Sequence, residues 1–196
     1  MTPSMRMTKR GEYAMRTLIR LGVAQRMGGG LVSVSRLAET ERIPAKFLEN
    51  ILADLKGAGY VEGVRGKSGG ARITCDPEKV KMGELIRFMD GKLAPIGCAS
   101  ETAYEPCTCP DEDHCGLRML MIDVRNAIAN ILDRYTLADV VTVTLRKLER
   151  DGLLPVAMVP KPAKKAAALR LPAKPRYANP ADGFLAGLVR DLATKP

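Results

Sequence analysis

The chain has 196 residues, enough for one domain of about 150 residues with an appendage and well beyond the size at which disulfides must staple a fold. Hydrophobic residues make up 46% and charged residues 27%; no apolar run approaches the roughly 18 residues of a membrane span, and the opening MTPSMRMTKRGEY lacks the apolar segment of a secretory signal, so a cytoplasmic, mainly helical chain with no membrane partner is expected. The 31 Lys and Arg against 22 Asp and Glu leave a net charge of +9, which favours a polyanionic partner.

That charge is unevenly spread. Residues 1–92 hold 17 basic and 10 acidic side chains, residues 93–154 hold 6 and 10, and residues 155–196 hold 8 and 2. The pattern is a basic head, an acidic middle and a basic tail.

From Thr8 to about Gln25, the residues Tyr13, Ala14, Thr17, Leu18, Leu21 and Ala24 recur at three- and four-residue spacing, with Arg16, Arg20 and Arg26 off that stripe. This predicts an amphipathic helix, ended by Gly28-Gly29-Gly30. A second, short helix is predicted from an N-cap at Ser33 or Ser35 to about Glu41. Pro44 opens a third at a position where its missing N–H costs nothing, with Phe47, Leu48, Ile51, Leu52 and Leu55 as the expected buried stripe. Tyr60 to Val64 alternates as a strand, Arg65-Gly66-Lys67-Ser68-Gly69-Gly70 forms a tight basic turn, and Ala71 to Thr74 returns as a second strand.

Three short helices followed by a two-stranded hairpin is the order of a winged helix-turn-helix. In that arrangement the third helix presents its first turns to base edges, here Pro44, Ala45, Lys46 and Glu49. Arg65 and Lys67 on the wing would reach phosphates or the minor groove.

A fourth helix is predicted from about Met82 to Met89, ending at Gly91. Residues 92–116 carry Pro95, Pro106, Pro110, the acidic run Asp111-Glu112-Asp113 and four of the five cysteines, a loop too rich in breakers for regular structure. Loops of that length in compact domains are usually functional or disordered. Beyond it, Leu117, Leu120, Met121, Val124, Ile128, Ile131, Leu132 and Tyr135 hold a helical stripe that needs a partner surface, which favours a homodimer. A last helix runs from about Ala138 to Arg150 and stops at Gly152. From Pro155 the composition shifts to Pro, Ala and Lys, as in a flexible basic arm, with a short amphipathic segment from Phe184 to Leu192.

The fold class expected is therefore mainly α: a winged helix-turn-helix with a two-stranded wing over residues 1–80, a cysteine-bearing loop and a long dimerisation helix over 81–152, and a flexible basic tail over 153–196. An enzyme is not expected, because no nucleophile with a base can be assembled around a single histidine.

Cys98, Cys107, Cys109 and Cys115 fall within 18 residues, next to the one histidine, His114, while Cys75 stands apart. In a reducing compartment such a group points to a metal more often than to disulfides. Four cysteines with His114 would satisfy zinc, and a metal-free thiol switch stays open beside it. Protein-only scaffolding is the remaining non-enzymatic reading.

Several motifs together carry a resemblance over about residues 5–150. Met5-Arg6-Met7-Thr8 followed by Gly11-Glu12-Tyr13-Ala14, the stretch Ile43 to Glu49, Gly59-Tyr60-Val61 leading into the basic turn, and Cys115-Gly116-Leu117-Arg118 resemble the Rrf2 family of bacterial winged-helix regulators. The resemblance implies a homodimer on double-stranded operator DNA, contacted by Lys46, Glu49 and Arg65. In many members DNA binding is set by an iron-sulfur cluster, 2Fe-2S or 4Fe-4S, and the signal would be iron supply, redox state or nitric oxide.

On that resemblance the ligands are Cys98, Cys109 and Cys115, with Cys107 either an alternative to Cys98 or a fourth ligand. The family's histidine three residues beyond the last cysteine is replaced by Arg118, and Glu12 occupies the position of a carboxylate that some relatives supply from the partner subunit. Ala71 stands where the family usually carries a large aromatic side chain.

Overall fold

The computed structural model describes residues 7–64 and 69–153. Arg65 and Lys67 of the basic turn, Met5 and Arg6 of the opening motif and the tail from residue 154 lie outside the described residues. The described chain forms two compact units, one of residues 7–90 and 133–153, the other of residues 91–132.

In the first unit, α1 (Lys9–Arg26) begins where the Thr8 hydroxyl accepts the Gly11 N–H at 3.1 Å, and it buries Ala14, Thr17, Leu18 and Leu21. α2 (Val34–Glu41) is capped by Ser33, whose hydroxyl accepts the Arg36 N–H at 3.3 Å. It stops at Arg42, which turns left-handed at φ 51°. α3 (Ala45–Gly57) follows Pro44 directly and buries Leu48, Ile51 and Leu55. Phe47 departs from the expected stripe: it is 38% exposed and packs edge-on against Tyr13, ring centres 5.8 Å apart. One helical step from Leu48 carries a side chain about 100° round the axis, so Phe47 flanks the core instead of entering it.

β1 (Val61–Val64) and β2 (Gly70–Ile73) pair antiparallel, Val61 opposite Ile73 and Val64 opposite Gly70. Val32 adds a further rung by exchanging both backbone hydrogen bonds with Ala71, at 2.8 and 3.0 Å.

α4 (Met82–Asp90) and α6 (Leu137–Arg150) both pack on α1. α6 carries a capping box, with Thr136 and Asp139 each satisfying the other's backbone N–H. Gly22 allows the close approach of α1 and α6, since a Cβ there would lie 2.6 Å from Val141 Cγ2. Leu85, Leu137, Val141 and Leu145 fill the space against Leu18 and Leu21, and each buried leucine contributes about 1.5–3 kcal/mol. The compact head thus runs past residue 80 and recruits the last helix, a grouping that differs from the division at residues 80 and 81 expected from the sequence.

The second unit holds one 3-10 turn (Gly97–Ala99), an irregular stretch and α5 (Gly116–Leu132). Tyr135, expected on the long helical stripe, lies beyond its end, where its carbonyl accepts the Met82 N–H at 2.9 Å. Among the described residues no helix is long and apolar enough to cross a membrane.

Candidate functional site

The exposed side of α3 carries Ala45, Lys46, Glu49, Asn50, Ala53 and Lys56, because the buried Leu48, Ile51 and Leu55 claim the opposite side. Lys46 and Glu49 form an ion pair at 3.2 Å, and Pro44 is exposed at the helix start. A groove of about 770 Å³ separates this face from the wing strands, with Ser33, Ser35, Glu49, Lys56, Glu62 and Gly70 among its walls. The four described positions expected to read DNA therefore share one end of α3. Asn50, Lys56 and the α2 hydroxyls join the same surface without having been singled out. Their signal was present, since Asn50 follows Lys46 and Lys56 follows Glu49 at helical spacing.

Two ion-pair ties fix how α3 is held. Arg10 reaches Asp54 at 2.6 Å, linking α1 to α3. Glu41, only 8% exposed, accepts Arg20 Nε at 2.6 Å and Arg16 Nε at 3.2 Å, and its carbonyl accepts a further Arg16 N–H. The arginines off the α1 stripe thus hold α2, the helix that braces the α2–α3 turn.

The cysteine loop is built against α5. Cys98 sits in the 3-10 turn at 6% exposure. Arg118 Nε donates to the Cys98 carbonyl at 3.1 Å and Arg125 Nη1 to the Ala99 carbonyl at 2.7 Å, so two arginines of α5 hold that turn. Cys107 lies beside Cys98 and Cys109, and Cys109 also lies beside Cys115. The Cys107 sulfur accepts the Cys109 N–H at 3.3 Å and donates to Glu112 Oε2 at 3.7 Å. Cys115 precedes α5 directly, and its carbonyl accepts the Met119 N–H at 3.2 Å.

Glu112 is the hub of this loop. It accepts the Tyr104 hydroxyl at 2.8 Å and pairs with Arg118 at 3.1 Å besides meeting Cys107. Sequence reasoning missed it, reading Asp111-Glu112-Asp113 only as an acidic run, and it saw in Arg118 only a missing histidine. His114 is turned to Asp111, Nδ1 to Oδ2 2.8 Å.

Crowding sets the thiol chemistry. The hydrogen bond with Cys107, then burial and the neighbouring Cys115, push the Cys109 thiol up to about 12. Burial, with Cys107 and Glu112 nearby, pushes Cys98 up as well. Adjacent thiolates repel, and a bound cation is the group that lets several ionise together. The donor set of four thiols fits an iron-sulfur centre by its chemistry. Among the described residues, no three His, Cys, Asp or Glu side chains are gathered as they would be around a single metal ion. Glu12 lies on α1, where Lys9 at 2.7 Å and Arg16 at 3.3 Å hold its carboxyl below the ordinary range. Cys75 is half-buried against the core of the first unit, as expected of a small packed side chain.

Residues 7–143 match the Rrf2 family, described as an iron-dependent transcriptional regulator. An rrf2-like HTH-type transcriptional regulator of Rhodobacter capsulatus is 37% identical over 134 residues, which cover 67% of this chain and 89% of that protein. The structure of CymR, the global cysteine regulator of B. subtilis, superposes with a TM-score of 0.57 at 25% identity, covering 70% of this chain and 97% of CymR. T. potens IscR superposes with a TM-score of 0.55 at 25% identity, covering 78% of this chain and 95% of that one. With its winged helix-turn-helix head and a family match over most of its length, the chain belongs to the Rrf2 family and is a transcriptional regulator of that type.

Proposed function

We propose that the chain acts in the cytoplasm as a homodimer on double-stranded operator DNA, and that its operator affinity responds to iron supply, redox state or nitric oxide through an iron-sulfur cluster on the cysteine loop. The observation that carries the sensing half is the convergence of Cys98, Cys107, Cys109 and Cys115 on one loop whose turn is held by Arg118 and Arg125 of α5. When bound, the cluster supplies a redox-active, thiolate-held iron centre, 2Fe-2S or 4Fe-4S. Cys98, Cys109 and Cys115 are the core ligands, with the fourth position open to Cys107 or to Glu12 of a partner subunit.

The reading half rests on α3. Lys46 and Glu49 reach base edges from the first turns, Pro44 and Ala45 set the close approach, and Arg65 and Lys67 are assigned to the phosphates beside them. The ties from Arg10 to Asp54 and from Arg20 to Glu41 keep that helix in a fixed pose on α1 and α2.

Anaerobic purification with a visible spectrum and iron and sulfide counts tests the sensing half, and operator retention by holo protein against a Cys98, Cys109, Cys115 triple serine variant tests its link to DNA. Coloured protein with stoichiometric iron and sulfide, and different retention by the two forms, is expected. Colourless protein with stoichiometric zinc, or with bare thiols that respond to oxidant, moves the reading to a zinc-stabilised regulator or a thiol switch. Failure to retain DNA at any salt concentration moves it to an interaction scaffold.

A further inference from the structure

We infer that Cys107 is the fourth ligand, supplied by the same protomer as Cys98, Cys109 and Cys115, so that the cluster is held by four thiolates of one chain and takes no carboxylate from the partner. The inference rests on the cluster reading above and goes beyond it in naming the complete ligand set.

Three observations carry it. Cys107 connects the thiols: it lies beside both Cys98 and Cys109, and Cys109 leads on to Cys115. Without Cys107 the set would divide into Cys98 alone and the Cys109, Cys115 pair. Second, the Cys107 sulfur already accepts a backbone N–H, from Cys109 at 3.3 Å. Hydrogen bonds of that kind favour the ionised form of a ligand and tune the potential of the centre it holds.

Third, the rival donors are engaged. Glu112 divides its oxygens among Tyr104, Arg118 and Cys107, which makes it a positioning residue for Cys107. Glu12 is held between Lys9 and Arg16 of its own helix, and His114 is turned to Asp111. Arg118, at the position of the family's histidine, carries no lone pair to offer and instead donates to the Cys98 carbonyl. Between a carboxylate and a thiolate, the softer sulfur is the better ligand for such a cluster.

The test uses the full chain, reconstituted anaerobically with ferrous iron and sulfide, as wild type, Cys107→Ser, Cys107→Ala, Cys107→Asp and Glu12→Ala. The readouts are iron and sulfide per protomer, resonance Raman bands of the terminal iron–sulfur bonds, and the rate of cluster loss to a ferrous chelator. Far-ultraviolet circular dichroism checks folding, which should hold because Cys107 lies outside every helix and strand. The expected result is that Glu12→Ala leaves bands and loss rate unchanged, while Cys107→Ser and Cys107→Ala shift the bands and speed loss roughly tenfold or more. Cys107→Asp, which restores a donor, should recover iron content with the bands still shifted. Cys107 variants that match wild type on all three readouts, or a Glu12→Ala protein with shifted bands, would overturn the inference while leaving the cluster reading intact. Wild type that takes up no iron and sulfide would sink both.

Discussion

Asp90, the last residue of α4, clasps Thr8 at the start of α1: the Thr8 N–H donates to Oδ2 at 3.0 Å and the Thr8 hydroxyl to Oδ1 at 2.5 Å. A carboxylate is unfavourable at the end of its own helix but favourable at the positive N-terminus of another, and the second interaction decides its place. Asp90→Ala should lower stability by about 1 kcal/mol, the usual worth of a helix cap, read as an earlier urea midpoint with an unchanged slope. Gly11→Ala tests the same contact from the other side, since its Cβ would lie 2.5 Å from Asp90 Oδ1. The double variant should lose less than the sum of the two single losses.

Glu41 is the buried acid of the head, and its partners Arg16 and Arg20 are more than a third exposed. The arginines regain water when the acid is removed, so Glu41→Ala should cost about 2 kcal/mol, below the range for a fully buried pair. Thermal melting of Glu41→Ala, Arg20→Ala and the double variant measures it, and a strictly additive cycle would remove the network from the account.

Much of the head was legible in the sequence because its signals are local. Thr8 and Ser33 cap as hydroxyls do, Gly91 and Gly152 end helices at positive φ, and the spacing of Leu48, Ile51 and Leu55 marks the face of α3 turned from solvent. Phe47 was misplaced because periodicity alone does not say how wide the buried face is, and Tyr13 offers it a surface perch. The cysteine loop was legible only as a composition. Linear spacing cannot rank Cys98 against Cys107 when the intervening chain is irregular and folds back, and the Glu112 hub depends on Arg118 from the following helix. Arg118 and Arg125 look like ordinary exposed charges until the 3-10 turn presents its carbonyls to them.

On DNA, Lys46 and Glu49 should behave differently although they touch each other. Lys46→Ala should weaken binding on every sequence and lower the salt dependence of log affinity by about one, as loss of one phosphate contact does. Glu49→Ala should leave that slope in place and relax discrimination at one base pair by about 1–3 kcal/mol, as loss of a base-edge acceptor does. Fluorescence anisotropy over a salt series, with an operator and its single-base variants, separates the two. Equal effects on all sequences from both substitutions would argue against Glu49 as a reader.

Alkaline pH should weaken the head through Cys75 and Tyr60. Burial pushes the Cys75 thiol up, and burial followed by the charges of Glu84 and Cys75 does the same to the Tyr60 phenol. Below the unfolded thiol pKa of roughly 8.5 both states keep these protons, so their contribution does not vary with pH. Above it the unfolded chain sheds protons first, the native state binds more, and stability falls as pH rises. Urea unfolding between pH 7 and 10.5 should show this decline. Cys75→Ala should delay its onset and Tyr60→Phe should shallow its upper part; a decline unaltered by both would place the responsible groups elsewhere.

α5 is a 17-residue amphipathic helix with no buried residue, and Leu117, Met121, Val124, Ile128 and Ile131 recur along one side of it. Leu117 is 56% and Ile131 53% exposed, a poor arrangement for a lone protomer, because each such side chain covered by a partner is worth about 1.5–3 kcal/mol. Ile131→Glu should therefore leave the protomer folded, since the side chain is already half in water, but shift the protein to a monomer in sedimentation velocity. Operator affinity should fall with it, because a two-fold reader that loses its partner engages one half-site at a time. A variant that still sediments as a dimer would show that the pairing surface lies off this stripe, and the expected homodimer would need another face.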